Sequence, residues 1–181
     1  YLAKEINFDD SNKKLLEEII NYGLNLGADF VEIFLENTDN ISVLVEEDFI
    51  TSVSPSFGKG AGIRIFKDKR DGFVSTNDLS KDGLIKSISQ AVQMLDITET
   101  SSNGKFQGLE DLRNYSKRKN DWLKNLPSVD EIGEKLLLST ASLKKDPKVN
   151  IRKSSYARNW QQVLIASSDG TFAKDIRLHQ T

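Results

Sequence analysis

The chain has 181 residues, with 25 Lys and Arg against 27 Asp and Glu, one His and no Cys. That length suits one domain or one plus part of a second, and 38% hydrophobic with 29% charged residues describes a chain able to bury a core. No Cys means no disulfide framework, thiolate zinc site, iron–sulfur cluster or cysteine nucleophile. No apolar run approaches the roughly 18 residues of a membrane-spanning helix.

Charge is unevenly spread. Residues 1–60 hold 4 Lys and Arg against 12 Asp and Glu, and residues 61–181 hold 21 against 15. A uniformly basic nucleic-acid binder does not have this distribution. The first ten residues are mixed polar, without the basic and apolar regions of an export signal. With no Cys, the expected location is cytoplasmic. The first residue is Tyr1, so the natural start is expected upstream.

In chain order, Asp10 or Ser11 is placed to cap a helix with its apolar stripe at Leu15, Leu16, Ile19, Ile20 and Leu24, ended by Gly27. The period then changes to two. Val31, Ile33 and Leu35 form one alternating run and Ile41, Val43 and Val45 a second, so a β-hairpin turning at Asn37–Asn40 is predicted. Phe49–Val53 is predicted as a third strand stopped by Pro55, Gly60–Lys67 as a fourth, and Phe73–Thr76 as a fifth after a turn at Asp68–Gly72. Ser80 then caps a second helix through Leu84, Ile88, Ala91 and Leu95. Residues 1–96 thus read as an N-terminal α+β domain, an antiparallel sheet flanked by two helices.

Residues 97–126 are rich in Ser, Asn, Gly, Lys and Arg, without an apolar period. They are expected to be a linker, with short structured pieces near Leu109–Leu112 and Trp122–Leu126. Ser128-Val129-Asp130-Glu131 has capping-box spacing for a third helix with Val129, Ile132, Leu136, Leu137 and Leu143 in its stripe, ending before Asp146-Pro147. After Pro147 come strands over 148–158, 161–167 and 171–178, turning at Ser168-Asp169-Gly170. Residues 127–181 are accordingly expected to begin a second α+β domain, cut short.

Four features bear on chemistry. Gly58-Lys59-Gly60-Ala61-Gly62 precedes a strand rather than a helix, so a tight hairpin suits it better than a phosphate loop. Glu46-Glu47-Asp48 offers oxygen ligands but lacks a D-x-D-x-D-G loop, and falls where a hairpin should turn. Lys117-Arg118-Lys119, near Trp122 and Lys124, resembles a small phosphate-backbone patch inside the linker, and a solvated charge run fits it better. His179 has no identifiable partner, and there is no G-x-S-x-G elbow. No catalytic, cofactor-binding or metal-binding residue is selected by spacing alone.

Four strings stand in order: Gly27-Ala28-Asp29-Phe30-Val31-Glu32, Val45-Glu46-Glu47-Asp48-Phe49-Ile50, Gly60-Ala61-Gly62-Ile63-Arg64 and Asp71-Gly72-Phe73 through Asp78-Leu79-Ser80. Together they resemble the N-terminal domain of the TldD/PmbA family, the modulators of DNA gyrase. Val163 through Thr171 resembles the start of that family's central domain, nearer the TldD version.

The resemblance implies the N-terminal, non-catalytic part of a cytoplasmic zinc metalloprotease acting on unfolded or peptide substrates. It implies a PmbA-type partner in a heterodimer, or a homodimer, with neither membrane nor nucleic acid as a direct partner. Its zinc motif, H-E-x-x-x-H, would lie downstream of Thr181, so zinc is expected in the full-length protein and none in residues 1–181. The alternatives are a PmbA-like binding or scaffold subunit, and an unrelated α+β domain.

Overall fold

The computed structural model describes residues 10–97, 106–114, 126–146 and 148–181. Helix α1 (Asp10–Asn25) forms where the apolar stripe predicts it, with Leu16, Ile19, Ile20 and Leu24 buried. The caps proposed at Asp10 and Ser11 lie outside the described side chains. Gly27, at φ 99°, follows the helix and turns the chain into the sheet.

The expected hairpin at Asn37–Asn40 is not formed. Strand β1 runs unbroken from Phe30 to Glu46, and β2 from Phe49 to Lys67. The two pair antiparallel along their whole length, with one register shift at Leu44/Val45. On its other side β1 pairs with β5 (Lys153–Ser167) from Glu32 to Glu46, which holds the Asn37–Asn40 stretch extended from both sides. Pro55 does not stop β2 either. The third strand, β3 (Arg70–Thr76), pairs with β2 only over Ala61–Lys67, so Pro55 lies on an edge where no ladder bond is lost.

Helix α2 (Lys81–Met94) begins at Ser80, whose hydroxyl accepts the Gly83 N–H at 3.1 Å. With α1 it covers one end of one sheet face, around Val31, Ile33, Ile63, Ile65 and Leu164. Gly23 lets the two helices and β1 meet: a Cβ there would lie 2.8 Å from Val31 and 3.3 Å from Ile88. These buried aliphatics supply the main core.

Helix α3 (Val129–Ser142) opens with the predicted capping box. Ser128 Oγ accepts from Glu131 N, and the Glu131 carboxylate accepts from Ser128 N. It rests on the same sheet face at the opposite end, over a small cluster of Ile41, Val43 and Ile132 with Leu136 and Tyr156 beside them. Of its predicted stripe Ile132 is buried, whereas Val129 and Leu143 stand exposed.

Strand β4 (Glu110–Asn114) falls on the short piece expected near Leu109–Leu112 and pairs parallel with β6 (Thr171–Gln180). The sheet order is β3-β2-β1-β5-β6-β4, antiparallel apart from that outer pair. Residues 153–180, expected to open a separate domain, therefore continue the sheet that residues 30–76 begin. The pairing of β1 with β5 spans more than a hundred residues of sequence, which local pattern does not register. The piece expected around Trp122 lies outside the described residues.

Candidate functional site

Two-residue alternation gives the sheet two unlike faces. The odd positions of β1 face the helices, and its even positions line the opposite face, which no described helix covers. At the end of the sheet remote from α1 and α2, this open face is built from small polar residues: Ser52, Ser54 and Ser56 on β2, Asn40 and Ser42 on β1, Asn159 on β5 and His179 on β6.

Register sets these side chains side by side. Asn40 lies opposite both Ser56 and Asn159, and Asn159 lies opposite His179. The Asn40 amide donates to Ser56 Oγ at 3.3 Å, and the Asn159 amide donates to Asn40 Oδ1 at 2.5 Å. The result is a polar ladder across three strands, with the imidazole at its end. It floors a trough of about 430 Å³. A second hollow of about 350 Å³ lies farther along β5 and β6, between Val163, Ile165, Asp175 and Arg177. The chemistry of this open face is that of a shallow hydrogen-bonding surface; among the described residues that line it no nucleophile–base pair stands out.

The opposite face holds a polar strip between the two helical covers. Asn37, Asp39, Trp160 and Gln162 are buried there, with Asn37 opposite Gln162 and Asp39 opposite Trp160. Trp160 Nε1 and Gln162 Oε1 have no hydrogen-bond partner among the described residues. The sequence signal was present: Asn37 and Asp39 continue the odd-numbered burial of β1. Their residue types nevertheless favour turns, so the local pattern predicts a hairpin where the strand in fact continues.

The acidic triplet lies at the β1–β2 turn. Glu46 accepts from Lys153 at 2.6 Å, Asp48 from Lys144 at 2.5 Å, and Glu47 from the Arg152 guanidinium, which also lies 3.6 Å from Asp48. The Arg152 backbone N–H, then its side chain, hold the Glu47 carboxyl below its ordinary pKa, and Lys144 does the same for Asp48. Carboxylates so engaged with cations do not fit a zinc site. Among the described residues, no group of three His, Cys, Asp or Glu is placed to hold a metal ion.

Gly58, Lys59 and Gly60 lie within β2 rather than in a turn, paired with Thr38, Asn37 and Glu36, so the glycine-rich run is strand and forms no phosphate loop. His179 lies exposed on β6. Lys117, Arg118, Lys119, Trp122 and Lys124 lie outside the described residues. No helix is long and apolar enough to cross a membrane among the described residues.

Residues 31–95 match the family model described as PmbA/TldA metallopeptidase domain 1. Three solved structures share the fold. TldE from Thermococcus kodakarensis superposes with a TM-score of 0.70 at 23% identity, covering 90% of this chain and 36% of that one. A protein from Bacteroides thetaiotaomicron described as a candidate modulator of DNA gyrase gives 0.71 at 22%, covering 95% and 40%. One so described from Thermotoga maritima gives 0.67 at 16%, covering 93% and 38%. This chain therefore spans well under half the length of the proteins it superposes on. No curated protein matches the sequence.

Proposed function

From the premise that residues 31–95 carry the first domain of the TldD/PmbA family, we propose that the chain is the N-terminal, non-catalytic part of a TldD-type zinc metallopeptidase. Its role is to form walls of the substrate cavity and part of the partner interface, for unfolded or peptide substrates in the cytoplasm. The partner is a PmbA-type subunit or a second copy. Zinc belongs to residues beyond Thr181, in the H-E-x-x-x-H motif that the resemblance implies.

The observation that carries this reading is the match of residues 31–95 to a domain of a metallopeptidase family. The extent of the chain supports it, since it covers 36–40% of the TldE and gyrase-modulator structures named above. The open sheet face and its trough offer a broad surface against which further domains or a partner can pack.

The test is to read the frame beyond Thr181, then to assay the longer protein, with its partner, on an unstructured peptide. Cleavage that disappears when the Glu of H-E-x-x-x-H becomes Gln supports the reading. A frame without that motif, or cleavage indifferent to the change, moves the assignment to a PmbA-like scaffold subunit.

A further inference from the structure

We propose that helix α3 is a detachable cover. It leaves the sheet as one unit while α1, α2 and the strands stay folded, and so bares a floor of Ile41, Val43 and Tyr156. This motion stands apart from any peptidase activity of the longer protein.

The two ends of the helix-bearing sheet face are held very differently. Beneath α1 and α2, Leu16, Ile20 and Ile88 share one cluster with Ile33, Ile63 and Leu164, each at most 1% exposed. Beneath α3 the buried cluster is Ile41, Val43 and Ile132, with Leu136 and Tyr156 packed against it. Of the further apolar side chains on α3, Leu138 is 72% and Val129 37% exposed. The stabilisation from burial scales with the apolar area removed from water. Helix α3 therefore loses far less by leaving the sheet than α1 or α2 would.

The polar ties do not make up the difference. Thr140 Oγ1 lies 2.6 Å from Ser154 Oγ on β5, and Ser154 Oγ donates to the Leu136 carbonyl at 3.0 Å. Lys144, just past the helix, pairs with Asp48 where both side chains are substantially exposed. Water replaces such contacts at small net cost. The Tyr156 hydroxyl, by contrast, is buried with no hydrogen-bond partner among the described residues. Its desolvation penalises only the closed form and is relieved when water reaches the phenol.

Both ends of α3 are capped from within the helix. Ser128 and Glu131 exchange the bonds of the capping box, and the Leu143 N–H turns back to the Thr140 and Ala141 carbonyls. Detachment thus breaks no cap that the sheet supplies. On the floor, Val43 lies between Tyr156 on β5 and Val53 on β2, which is 44% exposed even with α3 in place. Lifting α3 completes an apolar row across these three strands.

The test is amide hydrogen exchange on the intact 181-residue chain. A helix of 14 residues is marginal by itself in water, so its amides exchange once it is off the sheet. Amides from Gly133 to Ser142 should share one level of protection, about a hundredfold or more below that of Ile19–Leu24 and Ile88–Ala91. Protection graded inward from the helix ends is fraying, and overturns the proposal. So does protection equal to that of α1 and α2.

A cross-link then tests detachment itself. Thr140→Cys with Ser154→Cys places two thiols where the hydroxyls now meet, in a chain with no other Cys. Oxidation should slow exchange in α3 roughly tenfold or more, and reduction should reverse it. Exchange in α3 that is indifferent to the cross-link overturns the proposal. If the double variant does not fold, the exchange pattern of the unmodified chain decides alone.

Discussion

Glu47 and Arg152 are joined through both backbone and side chain. Glu47 N–H donates to the Arg152 carbonyl at 2.9 Å, Arg152 N–H returns a bond to Glu47 Oε1 at 3.1 Å, and the guanidinium meets Glu47 Oε2. Glu47 takes a positive φ of 55° at the tight β1–β2 turn. The Arg152 side chain is only 10% exposed, so this residue just before β5 is locked to the turn between two earlier strands.

That lock makes stability depend on acid. Glu47 and Asp48 have their pKa values lowered below the ordinary 4.5 and 3.8 by Arg152 and Lys144. Groups depressed in the folded state contribute fully above their unfolded pKa and lose that contribution as pH falls through the folded value. Melting temperature should therefore fall between about pH 5 and pH 3, and Arg152→Met should fall less steeply over that range. Parallel melting curves for the two proteins would show that the pair contributes nothing to the pH dependence.

Core burial near α1 and α2 should dominate stability. Ile20→Ala or Ile63→Ala, each at a fully buried site, should cost about 2–5 kcal/mol in chemical denaturation. Leu138→Ala, at a site 72% exposed on α3, should change stability by less than about 0.5 kcal/mol. Similar costs at all three positions would contradict the packing described.

Helix α3 has a thin apolar footing and a well-formed start. Ser128→Ala removes the oxygen that accepts from Glu131 N, and should destabilise by about 1 kcal/mol. Hydrogen exchange should show the loss in the first turn of α3, with α2 unchanged.

The strip between the helical covers gives a prediction of opposite sign. Gln162 Oε1 is buried without a hydrogen-bond partner among the described residues. Gln162→Met keeps the volume and removes that polar oxygen, and should stabilise the protein by about 1 kcal/mol. A loss of that size would mean that the oxygen is satisfied in solution.

Both helices flanking the main core were legible, because stripe and terminating signals agree at Leu16–Gly27 and Ser80–Leu95. The capping box of α3 was equally plain. The strands were harder because their breakers sit in long-range pairings. Asn37–Asn40 favours a turn locally, yet β2 and β5 hold it extended; Pro55 favours a stop, yet it lies beyond the reach of β3, where no strand among the described residues pairs with the outer side of β2. The polar ladder Ser56–Asn40–Asn159 draws on three strands separated in sequence, and only their register brings the side chains together.

The zinc content of dialysed residues 1–181, measured beside that of the longer protein, tests the central assignment most directly. The prediction is below roughly a tenth of an equivalent for residues 1–181 and about one equivalent for the longer chain. A full equivalent on residues 1–181, or none on the longer protein, would contradict a metallopeptidase whose metal lies beyond this domain.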